Sequence, residues 1–194
     1  MRNVLAWTAL AALLTAQEAP RPRAEASKAS TAASKYFTDV ELFDQNGKPR
    51  RLYSDLLQGH IVVINSFFAT CQDSCPVMAR NLARIQDVVG DRLGKDVYFL
   101  SFTVDPEKDT PEQLKSYADR MKAKPGWFFL TGSKENVGTA LRKLGLYTEE
   151  KQNHLSLFIL GNVPTGLWKK VLGMAPAEEL TPIVQSVLDD REKP

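Results

Sequence analysis

Two cysteines, Cys71 and Cys75, stand with three residues between them in the segment FFATCQDSCP, and the chain has no others. Thiols at this spacing have two chemistries open to them. As thiolates they hold a soft metal ion, Cu(I) foremost and zinc as well. As a dithiol they exchange with a disulfide, one sulfur attacking and the other resolving the mixed intermediate. A purely structural bridge is the weaker reading. Closing so short a loop removes little chain entropy, and a chain of 194 residues can bury a core without a staple. Three intervening residues are looser than the two of C-x-x-C redox motifs, so the spacing alone leaves metal and redox chemistry both open.

Two thiolates do not complete a metal site, and the histidines on offer are His60 and His154. Residues 61–68 (IVVINSFF) form a β-branched apolar run, the pattern of a strand buried on both faces. The cysteines follow its carboxyl end. Pro76 suits the first turn of a helix, which Met78, Leu82, Ile85 and Val89 continue at helical spacing. This junction sets the thiols near the positive end of a helix dipole, where thiolate is favoured. Cys71, at the exposed start of the loop, is the expected attacking sulfur in any redox chemistry. His154 stands just before a second apolar run, LSLFIL at 155–160. It meets the cysteines only if that strand runs antiparallel to IVVINSFF. His60 enters IVVINSFF at the far end and reads as a solvated loop histidine.

The remaining pattern supplies the scaffold. Residues 37–43 alternate as a strand, Asn46-Gly47 is a hairpin turn signal, and 50–53 return. Residues 97–104 (VYFLSFTV) form another buried strand. Thr110-Pro111-Glu112-Gln113 opens a helix as N-cap, N1 proline and N3 glutamine. Residues 127–130 form a short strand, and Ser133 caps a helix carrying Val137, Leu141 and Leu144. Gly161-Asn162 reads as the turn between LSLFIL and a partner at 167–172, and a helix over 178–188 closes the domain. Alternating strands and helices imply an α/β domain with a largely parallel central sheet. The last hairpin adds an antiparallel edge.

Hydrophobic residues make up 43% of the chain and charged residues 25%, with a formal net charge of +2. This is ordinary globular composition, and without a dense basic block it sets nucleic-acid binding aside. The first residues read as a targeting segment: Arg2, an apolar run over 4–14 broken only by Thr8, then Thr15 and Ala16. The run is shorter than the roughly 20 apolar residues of a bilayer span. The expected organisation is a signal peptide over 1–16, a disordered tether over 17–35 and one folded domain over 36–190. The domain then lies in the periplasm or elsewhere outside the cytoplasm. An uncleaved N-terminal anchor is the alternative and the sole membrane contact expected.

Read together, these segments resemble the Sco/SenC family of copper-binding, thioredoxin-like proteins. CQDSCP matches that family's C-x-x-x-C-P at Cys71, Cys75 and Pro76. SFTVDPEKDTPEQLKSYA, residues 101–118, is similar to its second signature, and PGWFFLTGS, residues 125–133, to its third. His154 falls where the family has its distant histidine. The resemblance implies a thioredoxin-like fold, a central mixed sheet flanked by helices with an N-terminal β-hairpin. It implies a copper ion, Cu(I) and also Cu(II), on Cys71, Cys75 and His154. It also implies work on the copper centre of cytochrome c oxidase, with that enzyme's copper-bearing subunit or another copper chaperone as partner. Thiol–disulfide reduction by Cys71 and Cys75 is the family's other proposed activity. Gln72 departs from the usual proline, and Asn153 from the usual aspartate beside the histidine. Loss of that aspartate bears on how the imidazole is oriented.

Against a redox enzyme, no proline precedes LSLFIL, where a thioredoxin-type enzyme places one facing its cysteines. A peroxide-reducing enzyme is disfavoured because the proline and threonine expected before its cysteine are not at the right offsets. Asp73, between the cysteines, reads equally as a solvated carboxylate and as a residue that steadies the loop or meets a partner. Asp105 and Asp109 read as turn and helix-start residues. Met78 and the run Trp127-Phe128-Phe129 read as core, and Trp168 as a candidate partner contact.

Overall fold

The computed structural model describes residues 33–191. The expected signal segment and nearly all of the expected tether lie outside the described residues. Seven strands are described. A two-stranded hairpin pairs β1 (Glu41–Phe43) with β2 (Pro49–Arg51). The main sheet holds β3 (Ile61–Phe67), β4 (Val97–Thr103), β5 (Trp127–Leu130), β6 (Leu157–Asn162) and β7 (Leu167–Leu172) in the order β5-β4-β3-β6-β7. β3, β4 and β5 are parallel, while β6 is antiparallel to β3 and β7 to β6. The helices are α1 (Ser74–Val89), α2 (Pro111–Arg120), α3 (Lys134–Leu144) and α4 (Ala177–Leu188).

β3 is the centre of the sheet, and all seven of its residues are buried. Alternate side chains point to opposite faces. Ile61, Val63 and Phe67 join one core cluster with α1, α2 and α4, through Met78, Leu82, Leu114, Tyr117, Leu180 and Val184. Val62 and Ile64 join the other with α3, through Val137 and Leu141. A buried strand with both faces covered is why IVVINSFF shows no polar alternation. The two helix starts read from the sequence are in place. The Thr110 hydroxyl accepts from Gln113 N, and Ser133 Oγ accepts from Asn136 N.

Four expectations need correcting. The strand expected over 37–43 is only Glu41–Phe43, and residues 33–37 are helical. The returning strand stops at Arg51, and Leu52–Leu57 wind into a π-helical turn. That turn buries Leu52, Leu56 and Leu57 under the sheet, while Asp39 accepts from Tyr53 N and Ser54 N. LSLFIL enters the sheet only at Leu157, and Gly161-Asn162 lie inside β6, not in a turn. Trp168 lies across Gly161 from β7, and a Cβ there would stand 2.3 Å from its ring. Glycine here marks a close approach within a strand. Finally, His60 is half-buried and stacks on Tyr98 at 4.0 Å instead of standing in solvent.

The hairpin turn does form. Gly47 takes φ +71°, and the buried Asp44 carboxylate accepts from Asn46 N and Lys48 N and pairs with Arg50 at 2.9 Å. Phe43 and Thr131 exchange backbone hydrogen bonds and dock this hairpin beside the end of β5.

Burial holds the His60 pKa below the ordinary histidine range, against the Gln58 backbone and Asp96, which favour the charged ring. The unfolded chain therefore takes up this proton first as pH falls through about 6.5. Stability is lost below that pH and present above it. In His60→Phe, which keeps an aromatic ring over Tyr98, the fall in urea midpoint between about pH 8 and pH 5.5 should be smaller than in the parent. An equal fall in both proteins would assign the pH dependence to other groups.

Candidate metal centre

The site lies where the carboxyl end of β3 meets the start of β6. Because β6 is antiparallel to β3, with Ile64 opposite Ile159, the loop leading into β6 arrives beside the loop leaving β3. This is the direction that the sequence required for His154 to reach the cysteines. The sulfurs of Cys71 and Cys75 and a ring nitrogen of His154 all lie within 4.8 Å of one another. His154 Nε2 stands 3.3 Å from Cys75 Sγ and 3.4 Å from Ser74 Oγ. Its Nδ1 is 3.0 Å from the carbonyl oxygen of Lys151. A carbonyl only accepts, so Nδ1 carries the proton and Nε2 keeps its lone pair toward the sulfurs.

These donors fit a soft ion of low coordination. With metal–sulfur bonds of about 2.3 Å and metal–nitrogen bonds of about 2.0 Å, a trigonal arrangement separates its donors by roughly 3.7–4.0 Å. Small side-chain adjustments span the difference. The set also matches by type: two sulfurs and one neutral imidazole favour Cu(I) over hard ions.

The helix begins at Ser74, two residues before Pro76, so Cys75 sits in its first turn and Cys71 precedes it. Both cysteines are free and buried, with 8% of Cys71 and 2% of Cys75 exposed. The expectation of an exposed Cys71 at the loop start therefore fails. So does the expectation that the helix dipole favours a Cys75 thiolate. Burial, and then the adjacent Cys71 thiol, push Cys75 up to about 12. In the metal-free protein Cys75 is a neutral thiol, and metal binding must displace its proton. Burial also holds the His154 pKa below the ordinary range, against the Lys151 carbonyl and Asp73, so the ring is kept neutral and able to ligate.

Residues around the three donors hold the loops. Asp109, read as a helix-start residue, is buried. Its Oδ2 accepts from Ala69 N at 3.1 Å and from Thr103 Oγ1 at 2.5 Å, which ties the cysteine loop to the end of β4. Asp105 pairs with Lys151 at 2.5 Å. Behind Cys75, Trp127 Nε1 donates to Ser101 Oγ, which donates to Asn65 Oδ1. This polar chain satisfies groups inside an otherwise apolar wall. Met78 is core, as expected, packed at Gly173. Asp73 is exposed at the N-cap position and makes no capping hydrogen bond. His60 belongs to the opposite end of β3. Lys151 and the long reach of Asp109 carried no sequence signal, since Lys151 pairs across the fold with Asp105 and Asp109 accepts from the distant Ala69 N.

Fold and site together define a thioredoxin-like domain in which a histidine faces a two-cysteine loop. The SCO1/SenC family model matches residues 28–188, and the chain belongs to that family. A SCO2-like protein of Rickettsia prowazekii is 33% identical over 107 residues, which are 55% of this chain and 50% of that protein. The chain spans about half the length of the curated relatives it matches. The crystal structure of Arabidopsis thaliana ScoI with copper bound is similar at 25% identity and a TM-score of 0.66, covering 79% of this chain and 98% of that one. BsSco is described as a member of the Sco family of cytochrome c oxidase assembly proteins with a disulfide switch. It is 28% identical with a TM-score of 0.63, covering 78% of this chain and 92% of that one.

Replacing Asp109 by Ala leaves the Ala69 N–H without its acceptor. The variant should lose about 1–3 kcal/mol in urea unfolding, with faster amide exchange at Ala69. Unchanged stability and exchange would remove Asp109 from any role in holding the cysteine loop.

Proposed function

We propose that this chain is an extracytoplasmic copper chaperone that takes a copper ion as cargo on Cys71, Cys75 and His154 and passes it on for the copper centre of cytochrome c oxidase. The observation that carries the reading is the convergence of two sulfurs and one unprotonated imidazole nitrogen within 4.8 Å. No carboxylate belongs to the group, so the site is built for a soft ion and not for calcium or magnesium. Copper-bound Arabidopsis ScoI, with the same fold, supports the choice of ion. Three donors leave coordination positions open. Cargo can then leave by ligand exchange, with an incoming donor entering before the last protein ligand departs. Both cysteines are buried, Cys71 slightly less than Cys75.

Export rests on Arg2, the apolar run 4–14 and the small residues after it, with 1–16 as signal peptide and 17–35 as tether to the domain at 36–190. The partner is the copper-bearing subunit of the oxidase or another copper chaperone, as the description of BsSco supports. A second reading, a thiol–disulfide reductant, is favoured by one observation: the two free thiols lie within 4.8 Å of each other. Oxidation of the pair would then remove two of the three donors.

Titration of the reduced protein with Cu(I) against a competing chelator tests the choice. The parent should bind one ion, and His154→Ala should bind at least about tenfold more weakly. Equal affinities would sink the three-donor site. Absence of binding in both, with a measurable disulfide potential, would hand the site to thiol chemistry.

A further inference from the structure

The segment that carries His154 is tied down after the histidine, where Leu155 O accepts from Ser66 Oγ at 3.5 Å and Ser156 O from Gly173 N at 2.8 Å, but has little to hold it before the histidine. Across residues 147–156, His154 is the one buried side chain. The hydrogen bonds inside the segment are local: Thr148 Oγ1 to Glu150 O, Asn153 N to Glu150 O, and His154 N to Lys151 O. Among the described residues, just two side chains of 148–154 make hydrogen bonds or ion pairs outside the segment. One is His154 itself, toward Ser74 and Cys75. The other is Lys151, whose Nζ stands 2.5 Å from Asp105 Oδ2. No apolar anchor compensates, since Leu155 is exposed.

Lys151 is also the residue whose carbonyl fixes the His154 ring. Its side chain is held by Asp105, at the loop after β4, while its own carbonyl accepts the Nδ1 proton. The same ammonium lies 5.2 Å from the Phe68 ring, which meets the His154 ring edge-on at 5.5 Å. Phe68 O in turn accepts from Cys71 N. One ion pair therefore spans the segment bearing the histidine, the ring that walls it and the loop bearing the cysteines. The pair is mostly shielded, with 26% of the Lys151 side chain and 13% of the Asp105 side chain exposed. It is less screened by salt than a surface pair.

We propose that the Asp105–Lys151 ion pair is a latch that seats His154 against Cys71 and Cys75, making both residues positioning residues for the metal centre. The latch sets the tautomer and the place of the imidazole without touching the ion. It rests on the three-donor reading above, because its effect on binding passes through His154. Removing the charge of Asp105 frees Lys151, lets its carbonyl drift from Nδ1, and leaves the ring free to exchange tautomers. The backbone carbonyl of Asp105 still accepts from Lys108 N and Asp109 N, so the loop after β4 keeps its turn in such a variant.

The test uses Asp105→Asn, Lys151→Met, His154→Ala and the double variant Asp105→Asn/His154→Ala. In the metal-free full chain, nitrogen NMR of His154 should show the Nδ1–H tautomer in the parent and an averaged signal in Asp105→Asn and Lys151→Met. In Cu(I) competition both latch variants should bind about tenfold or more weakly than the parent. The double variant should bind no more weakly than His154→Ala alone. Lys151→Arg, which keeps the cation, should restore both readouts. A parent-like tautomer signal in both latch variants overturns the latch. So does an Asp105→Asn penalty of equal size with and without His154, since the effect would then run through the cysteines. Should His154→Ala match the parent in affinity, the three-donor reading falls, and the metal-free NMR alone still judges whether the ion pair seats the ring.

Discussion

The antiparallel pairing of β6 with β3 is the constraint on which the site depends. Parallel strands would put the start of β6 at the end of the sheet opposite the cysteines, a full strand length away. The antiparallel register puts it beside them. Register matters as much as direction. A slip of one residue would move the β6 start by about 3.3 Å and turn Phe158 and Leu160 to the wrong face. Burial resists that slip. Phe158 and Leu160 belong to the core under α1 and α4, and Ile159 belongs to the core under α3. At the other end of β6, Trp168 covers Gly161, and the Asn162 amide donates to Val187 O and Asp190 O. The histidine is thus positioned by packing at a distance from it.

At Cys75 two effects of opposite sign meet, and their sizes decide the outcome. A helix N-terminus favours a thiolate by about 0.3–1 kcal/mol at an exposed site. That is less than the roughly 1.4 kcal/mol that one pKa unit represents. Burial of Cys75 and the neighbouring Cys71 thiol outweigh it, and the group stands at about 12. The buried sulfur therefore stays protonated, and a cation bound in the proposed site would have to replace that proton. Such a sulfur is a poor nucleophile and a protected ligand.

The parts of the fold legible in the sequence were those set by local chemistry or by continuous burial. IVVINSFF, VYFLSFTV, the Thr110 and Ser133 caps and the Asn46-Gly47 turn all carried their own signals. The errors came where another element decided. LYSDLL forms a π-helical turn because Leu52, Leu56 and Leu57 have a sheet face to cover, and Gly161 stays in a strand because Trp168 crosses it. Cys71, Cys75 and His154 could be named from residue type, and their meeting reduced to one question, the direction of β6. Asp109 and Lys151 could not. Asp109 reaches a backbone N–H, and Lys151 a carboxylate, that only the folded chain brings near.

Asn153 shows how the fold supplies what one position lacks. The resemblance to the family implied an aspartate beside the histidine, and its absence bore on how the ring is oriented. In this chain the orienting acceptor at Nδ1 is the Lys151 carbonyl, which opens a one-turn 3-10 segment over Lys151–Asn153. Orientation is thereby kept, but the acceptor is neutral. A carboxylate in that place would raise the basicity of the imidazole and strengthen its bond to an ion. A carbonyl does so less. The exposed Asp73 carboxylate acts on the ring as well, and burial of the ring outweighs it. In the proposed three-donor site the two sulfurs would therefore carry more of the hold on the ion, and the histidine would fix where the ion sits.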